Sequence, residues 1–382
     1  MNNTELTIEN AKNSLNTWLA ELLKNNGSVL HIKNNSPIKA RIQNQLKIID
    51  KTPLNSELLK LILKILATTN LKVLMETKEY EGIYKLDATH RFKFRIYAHQ
   101  NGFAVVFKAL PSKIKTFKEL HLPSSLNNLI ELQQGLVIIS GDDSSGKSTL
   151  LATIIDAINH KKPYHIITLE DHIEYIYNES LSSIEQKEIK THTVSISQAI
   201  KSIIKEDPDI IVIDKLADST VARYIIELIS RGYMIIVTMN AIDTKDTISK
   251  FLEFFDPSQQ DNARHTLAYM LKAVISQELI IDKNNNLLPV VEIMFQTENT
   301  KNTILNHKEE YIKQVIQNDS KEYDSITFEQ SLHKLYTAGQ ISQDITYNKA
   351  KKQQSISDNK QPALSVENTV LEEDPISYTI KF

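Results

Sequence analysis

The stretch "GLVIISGDDSSGKSTLLATIIDAINH", residues 135–160, restricts the fold of this chain more than any other. It opens on a short apolar run, the signature of a strand buried on both faces. A loop framed by Gly141 and Gly146 follows, and then a segment with helical spacing. Strand, glycine loop and helix in that order are the setting in which the pattern G-x-x-x-x-G-K-[ST] grips phosphate. Glycine is scarce in this chain, 8 of 382 residues, well under the usual ~7%. Two of those glycines occupy the two motif positions, which argues against coincidence.

The same grammar repeats downstream. "YHIITLE", "DIIVID" and "YMIIVTMN" are further apolar strands, separated by helical stretches such as "SISQAIKSIIKE" and "TVARYIIELISR". Such alternation predicts an α/β domain with a parallel sheet covered by helices. "ELIIDKNNNLLPVVEIMF" predicts a hairpin turning at Asn284–Asn286, with a helical region to about residue 345. Residues 346–382 are polar and poorly patterned, which predicts a flexible tail. The final "ISYTIKF" could still dock as a strand.

Upstream the pattern differs. Residues 5–24 space Leu6, Ala11, Leu15, Trp18, Leu19, Leu22 and Leu23 as a helix, with Gly27 as its stop. "SVLHIKNN" and "KARIQNQLKII" read as two strands, and "LNSELLKLILKILATT" as a helix capped at Asn55 or Ser56. "GIYKL", "RFKFRIYAHQ" and "FAVVFKAL" read as three more strands, the last two joined at Gln100–Gly102. The predicted organisation is an α+β domain over 1–110, a linker over 111–118 leading into a helix, a nucleotide domain over 119–345 and the tail.

Bulk properties remove several function classes. A net charge of −3 leaves no nucleic-acid footprint. No run of ~18 apolar residues predicts a membrane span. The N-terminus lacks the basic and apolar regions of a signal peptide. With no cysteine there are no disulfides and no thiolate metal sites. A cytosolic protein is the expectation. Only six arginines occur (41, 91, 95, 223, 231, 264), so each invites a question.

The motif assigns roles to named residues. Gly141, Ser144, Ser145, Gly146, Lys147, Ser148 and Thr149 form the candidate nucleotide loop. Its backbone N–H groups meet phosphate at a helix N-terminus, where the dipole favours anions. Lys147 reaches the β- and γ-phosphates, and the Ser148 hydroxyl is a ligand for Mg²⁺ accompanying ATP. "PDIIVID" is a hydrophobic strand ending in Asp214, the form of a carboxylate that holds Mg²⁺ from across the site. "TLEDHIEY" sets Glu170, Asp171 and Glu174 at the end of another core strand, where ligands bind in open α/β sheets. A carboxylate there can orient or deprotonate water. Each motif has a plainer reading, a serine-rich turn, a strand with a polar end or a solvated acidic loop. Their succession at suitable distances favours the site.

In this order the motifs resemble the PilT-type pilus-retraction ATPases of the secretion ATPase superfamily. "GDDSSGKST", "TLEDHIE", "KEDPDIIVIDKLAD", "TMNA" and "VISQELI" stand where the family has its Walker A loop, Asp box, Walker B strand, His box and S-Q-x-L. "GSVLHI" and "FKFRIYAHQ…FAVVFKALPSK" match its N-terminal unit, so the likeness runs from about residue 5 to 345. It implies a RecA-like P-loop domain behind a small PAS-like α+β domain. It also implies ATP hydrolysis within a cytoplasmic homo-hexamer, joined to the type IV pilus platform at the inner membrane, with a homologous motor as a further partner. Glu170 then positions the water, and Arg95 reaches the nucleotide from the N-terminal unit. Lys108, Arg223 and Arg264 stand at other basic positions, and ion pairs would explain the two arginines equally well.

Some positions depart from the family pattern. Asp142, Asp143 and Ser144 replace Pro-Thr-Gly. A like charge ~6 Å from phosphate costs about 3 kcal/mol at an effective dielectric near 20. Serine in place of glycine strains the loop wherever φ must be positive. Asp214-Lys215 replaces Gly-Glu, Asn240 replaces the His-box histidine, and "NTKNTILN" shares little with the helix linked to retraction. The expectation is that Asp214 takes the metal role while Lys215 pairs with Asp142 or Asp143. Two functions compete: a retraction motor, and a nucleotide-binding regulatory subunit with little turnover.

Overall fold

The computed structural model describes residues 7–342, except Asn44, Thr69 and Asn285. Helix α1 (Ile8–Lys24) is capped by Thr7, whose hydroxyl accepts the Asn10 N–H. Asn25 caps its other end and Asn26 takes the left-handed turn, so Gly27 is not the stop but the first residue of β1 (Gly27–Lys33). The single strand expected across "KARIQNQLKII" is split. Gln43, at φ 50°, turns the chain between β2 (Ile38–Ile42) and β3 (Gln45–Asp50). Helix α2 (Ser56–Leu66) takes Asn55 as its cap. Helix α3 (Leu71–Thr77) escapes the pattern because it buries only Leu74. Strands β4 (Glu79–Lys85), β5 (Arg91–His99) and β6 (Gly102–Ala109) complete an antiparallel sheet in the order β3-β2-β1-β6-β5-β4. Leu15, Leu19, Leu30, Ile62, Phe92 and Phe107 share its core.

After β6 the expected helix is a turn followed by a 3-10 helix at Ser124–Glu131. The second sheet contains β7 (Gly135–Ser140), β8 (His165–Glu170), β9 (Ser183–Glu188), β10 (Ile210–Ile213), β11 (Met234–Met239), β12 (Leu271–Ile281) and β13 (Leu287–Phe295). Their order is β13-β12-β7-β11-β10-β8-β9, parallel except for β13, which pairs antiparallel with β12. The hairpin turns where expected, with the Asp282 carboxylate accepting the N–H groups of Asn284 and Asn286.

The sheet is covered on both faces. Helices α4 (Lys147–Asn159), α5 (Ile196–Ile203), α6 (Ser219–Ser230), α7 (Thr244–Glu253) and α8 (Pro257–Met270) intervene between strands. Helices α9 (Glu298–Leu305), α10 (Ile312–Asp319) and α11 (Phe328–Thr337) follow them. Along β7, Leu136 and Ile138 enter one core while Val137 and Ile139 enter the other, as the two-residue period of a strand requires. The tail expected over 346–382 lies outside the described residues. Because the inner strands are parallel, their carboxyl ends line up along one edge, where open α/β sheets bind ligands. The glycine loop follows β7, Glu170 ends β8, Asp214 follows β10 and Asn240 follows β11.

Candidate nucleotide site

The loop between β7 and α4 is shaped by three residues with positive φ: Gly141 at 154°, Ser144 at 64° and Gly146 at 91°. A Cβ on Gly141 would lie 2.4 Å from the Gln277 carbonyl oxygen, and one on Gly146 would lie 2.6 Å from Gln277 Nε2. Both glycines are therefore dictated by the close approach of β12. Ser144 carries a Cβ in the left-handed region, the strain expected of a serine there. Gln277, buried on β12, donates Nε2 to the Ser145 carbonyl at 2.8 Å and seats the loop. Beneath it Thr247 donates to Ser140 Oγ at 2.7 Å, and Ser140 and Ser276 share a hydrogen bond at 2.8 Å.

Lys147 donates to the Gly141 carbonyl at 2.7 Å and to the Asp142 carbonyl at 2.8 Å, arching over the loop. Burial lowers its pKa, and Asp143 and Asp142 oppose that shift. Asp143 does not pair with Lys215. Its Oδ1 accepts the Asn240 amide at 3.0 Å, and among the described residues no ion pair joins Lys215 to Asp142 or Asp143. The field of Lys215 falls instead on Asp214 and Lys147. Asp142 and Asp143 are both exposed, so water screens their repulsion well below the ~3 kcal/mol figure.

Next to the loop, Ser148, Thr168, Glu170, His172, Glu174 and Asp214 line one narrow cleft together with the apolar Leu151, Ile155 and Val212. Three predicted residues, Ser148, Glu170 and Asp214, are thus brought together. Glu170 accepts from Thr168 at 2.6 Å and Gln186 at 2.9 Å, yet burial raises its pKa to about 7. Asp214 rises to about 6, first through burial and then through Glu174 and Asp171, with Lys93 and Lys215 opposing. Thr149 shares a 2.8 Å hydrogen bond with the hydroxyl of Tyr175, another residue lining the cleft. The donor set fits Mg²⁺: a hydroxyl and a carboxylate, both hard oxygens, meet in the cleft beside the glycine loop.

Arg95 is not brought to the cleft. It pairs with Glu79 at 2.8 Å and lies 3.5 Å from Glu81, both on β4. The cations of β5 that face the carboxylates are Lys93, 3.6 Å from Glu174, and Arg91, which donates to the Ile173 and Glu174 carbonyls. Sequence reasoning passed over both. Their signal is the alternation in "RFKFR", which sets three cations on one strand face. Arg223 pairs with Asp256 at 3.0 Å, and Arg264 pairs with Glu309 and donates to the Ile304 carbonyl. Both make the ion pairs allowed for them.

This geometry agrees with the comparisons. The profile of the type II/IV secretion system protein family matches residues 7–374. The chain belongs to that family. It is 28% identical over 334 residues to the type IV pilus retraction ATPase PilT of Pseudomonas aeruginosa, covering 87% of this chain and 97% of that one. The type IV pilus ATPase PilU of the same organism is 26% identical over 323 residues, covering 84% of each. Among solved structures, the pilus retraction motor PilT with bound ADP superposes with a TM-score of 0.78 at 27% identity, over 87% of this chain and 95% of that one. The ATPase DotB of Legionella pneumophila shares the fold, with a TM-score of 0.77 at 17% identity over 92% and 98%. Both the P-loop sheet and the antiparallel N-terminal sheet thus follow the family fold. Among the described residues no helix is long and apolar enough to cross a membrane.

Proposed function

We propose that this secretion ATPase family member is a motor subunit of a type IV pilus machine, hydrolysing ATP with Mg²⁺ at the β7–β8–β10 edge. The observation that carries this reading is the cleft itself, where Ser148, Glu170 and Asp214 converge beside an intact glycine loop. The loop amides and Lys147 hold the phosphates, and Ser148 and Asp214 hold the metal. Bound Mg²⁺ neutralises charge on the phosphate oxygens. Near pH 7 Asp214 is mostly ionised, as a ligand must be. Glu170, with a pKa of about 7, orients a water and takes its proton. The pilus retraction ATPase PilT and the pilus ATPase PilU as relatives support the pilus role; the proposed role extends to a homo-hexamer retracting pili from the cytoplasmic side of the inner membrane, beside a homologous motor.

Purified full-length chain should hydrolyse ATP only with Mg²⁺, and Lys147→Ala and Asp214→Ala should each lower turnover by ~10²-fold or more. Unchanged turnover in Asp214→Ala would remove Asp214 from the metal role. A regulatory subunit with little turnover is favoured by one observation. Asn240, which holds Asp143, carries neither charge nor a transferable proton. ATP binding without hydrolysis would establish that second reading.

A further inference from the structure

The loop after β8 carries the proposed catalytic wall, and its backbone is held from two directions. From β9, Glu188 accepts the Ile173 N–H at 3.1 Å, while Gln186 donates to the Tyr175 carbonyl at 2.9 Å and to Glu170 at 2.9 Å. From the N-terminal sheet comes Arg91, the first residue of β5. It is only 9% exposed and donates to the Ile173 carbonyl at 2.8 Å and to the Glu174 carbonyl at 2.7 Å. A guanidinium presents its donors as a rigid fork, so two consecutive carbonyls fix both the distance and the orientation of the loop. Surrounding contacts repeat the junction more weakly: Lys93 lies 3.6 Å from Glu174, and His172 lies 3.6 Å from Glu81.

Burying a guanidinium on neutral carbonyls is unfavourable unless acids lie near. Here Glu170, Glu174 and Glu188 supply them. The same arrangement couples the cation to the cleft. Shifting β5 relative to the parallel sheet would pull on Ile173 and Glu174, within four residues of Glu170.

We propose that Arg91 is a positioning residue that sets Glu170 and Glu174 through the 171–177 backbone, linking the placement of the N-terminal sheet to the cleft. This rests on reading the cleft as an ATPase site. Its guanidinium donates to the backbone carbonyls of Ile173 and Glu174, so it acts through the loop.

The test uses full-length chain, with Arg91→Gln and Arg91→Lys as variants. Hydrogen exchange is read over residues 171–177 and over α4, alongside kcat and KM for ATP. Arg91→Gln should quicken loop exchange by about tenfold, because two charge-assisted hydrogen bonds are lost. Helix α4 should be unchanged. The kcat should fall by ~10–100-fold with KM nearly constant, the mark of a misplaced group rather than a lost binding contact. Arg91→Lys should recover part of both. Unchanged loop exchange overturns the proposal, as does loss of protection throughout the parallel sheet, which would make Arg91 a folding residue. A rise in KM with kcat intact overturns it too. If the wild type fails to turn over ATP while loop exchange still quickens, the ATPase reading fails and the positioning role stands.

Discussion

The glycine loop runs into the helix that brings Ser148 to the cleft, Glu170 and Asp214 form the cleft's carboxylate wall, and both regions carry acidic side chains. Asp142 and Asp143 on the loop are exposed, whereas Glu170 and Asp214 on the wall are shielded enough to lift their pKa values to about 7 and about 6. On the loop, water and salt weaken each charge, and Asn240 engages Asp143 directly. On the wall, desolvation makes every proton count. The same residue type is a modest tuner on one side and a titrating chemical group on the other, and what differs is the solvent.

The largest test of that difference is Glu170→Gln. It keeps the hydrogen-bond acceptor toward Thr168 but cannot take a proton. Turnover should drop by ~10²–10⁴-fold, the usual contribution of a general base. In the wild type, kcat should fall as pH drops through about 7, where Glu170 gains its proton. A residual rate in Glu170→Gln that no longer follows that limb would place the limb on Glu170. A pH-independent wild type would erase the contrast between wall and loop.

A second test moves the same desolvation away from the cleft. Glu292 on β13 is 5% exposed, accepts the Thr244 N–H at 3.0 Å and has its pKa raised to about 7 by burial. In the unfolded chain it titrates near 4.5. Between those values the folded chain keeps a proton that the unfolded chain releases, so stability falls as pH rises and stays low above about 7. Glu292→Gln retains the acceptor and removes the penalty. It should stabilise the fold by ~1–3 kcal/mol at pH 8 and by far less at pH 4. Thermal unfolding at the two pH values reads this. Equal effects would show that burial alone does not govern these carboxylates.

Much of this is legible in the sequence. The inner strands β7, β8, β10 and β11 are short apolar runs because helices cover both faces, and glycines at 141 and 146 marked the phosphate loop. Strand β9 was not legible, since "SIEQKE" is an edge strand with only Ile184 packing on the core. The break at Gln43 was hidden because a left-handed glutamine leaves no glycine to signal it. Arg91 gave no motif, since its partners lie 82 and 83 residues away in sequence. The pairing of Lys215 with an aspartate failed for a different reason: charge alone suggested it, and the carboxyl end of β11 brought an amide closer.

The smallest predicted effect belongs to the loop. Asp143→Asn removes one exposed charge while leaving a carbonyl oxygen for the Asn240 amide. Nucleotide should bind ~3–10-fold more tightly at low ionic strength, because the lost repulsion acts through water. Raising salt to ~0.5 M, where the Debye length is shorter than the span from loop to phosphate, should erase most of the gain. Titration of a fluorescent ATP analogue into wild type and variant at two salt concentrations measures both numbers. A gain that persists in high salt would mean that bound nucleotide seals Asp143 from solvent, and loop and wall would then differ only until the ligand binds.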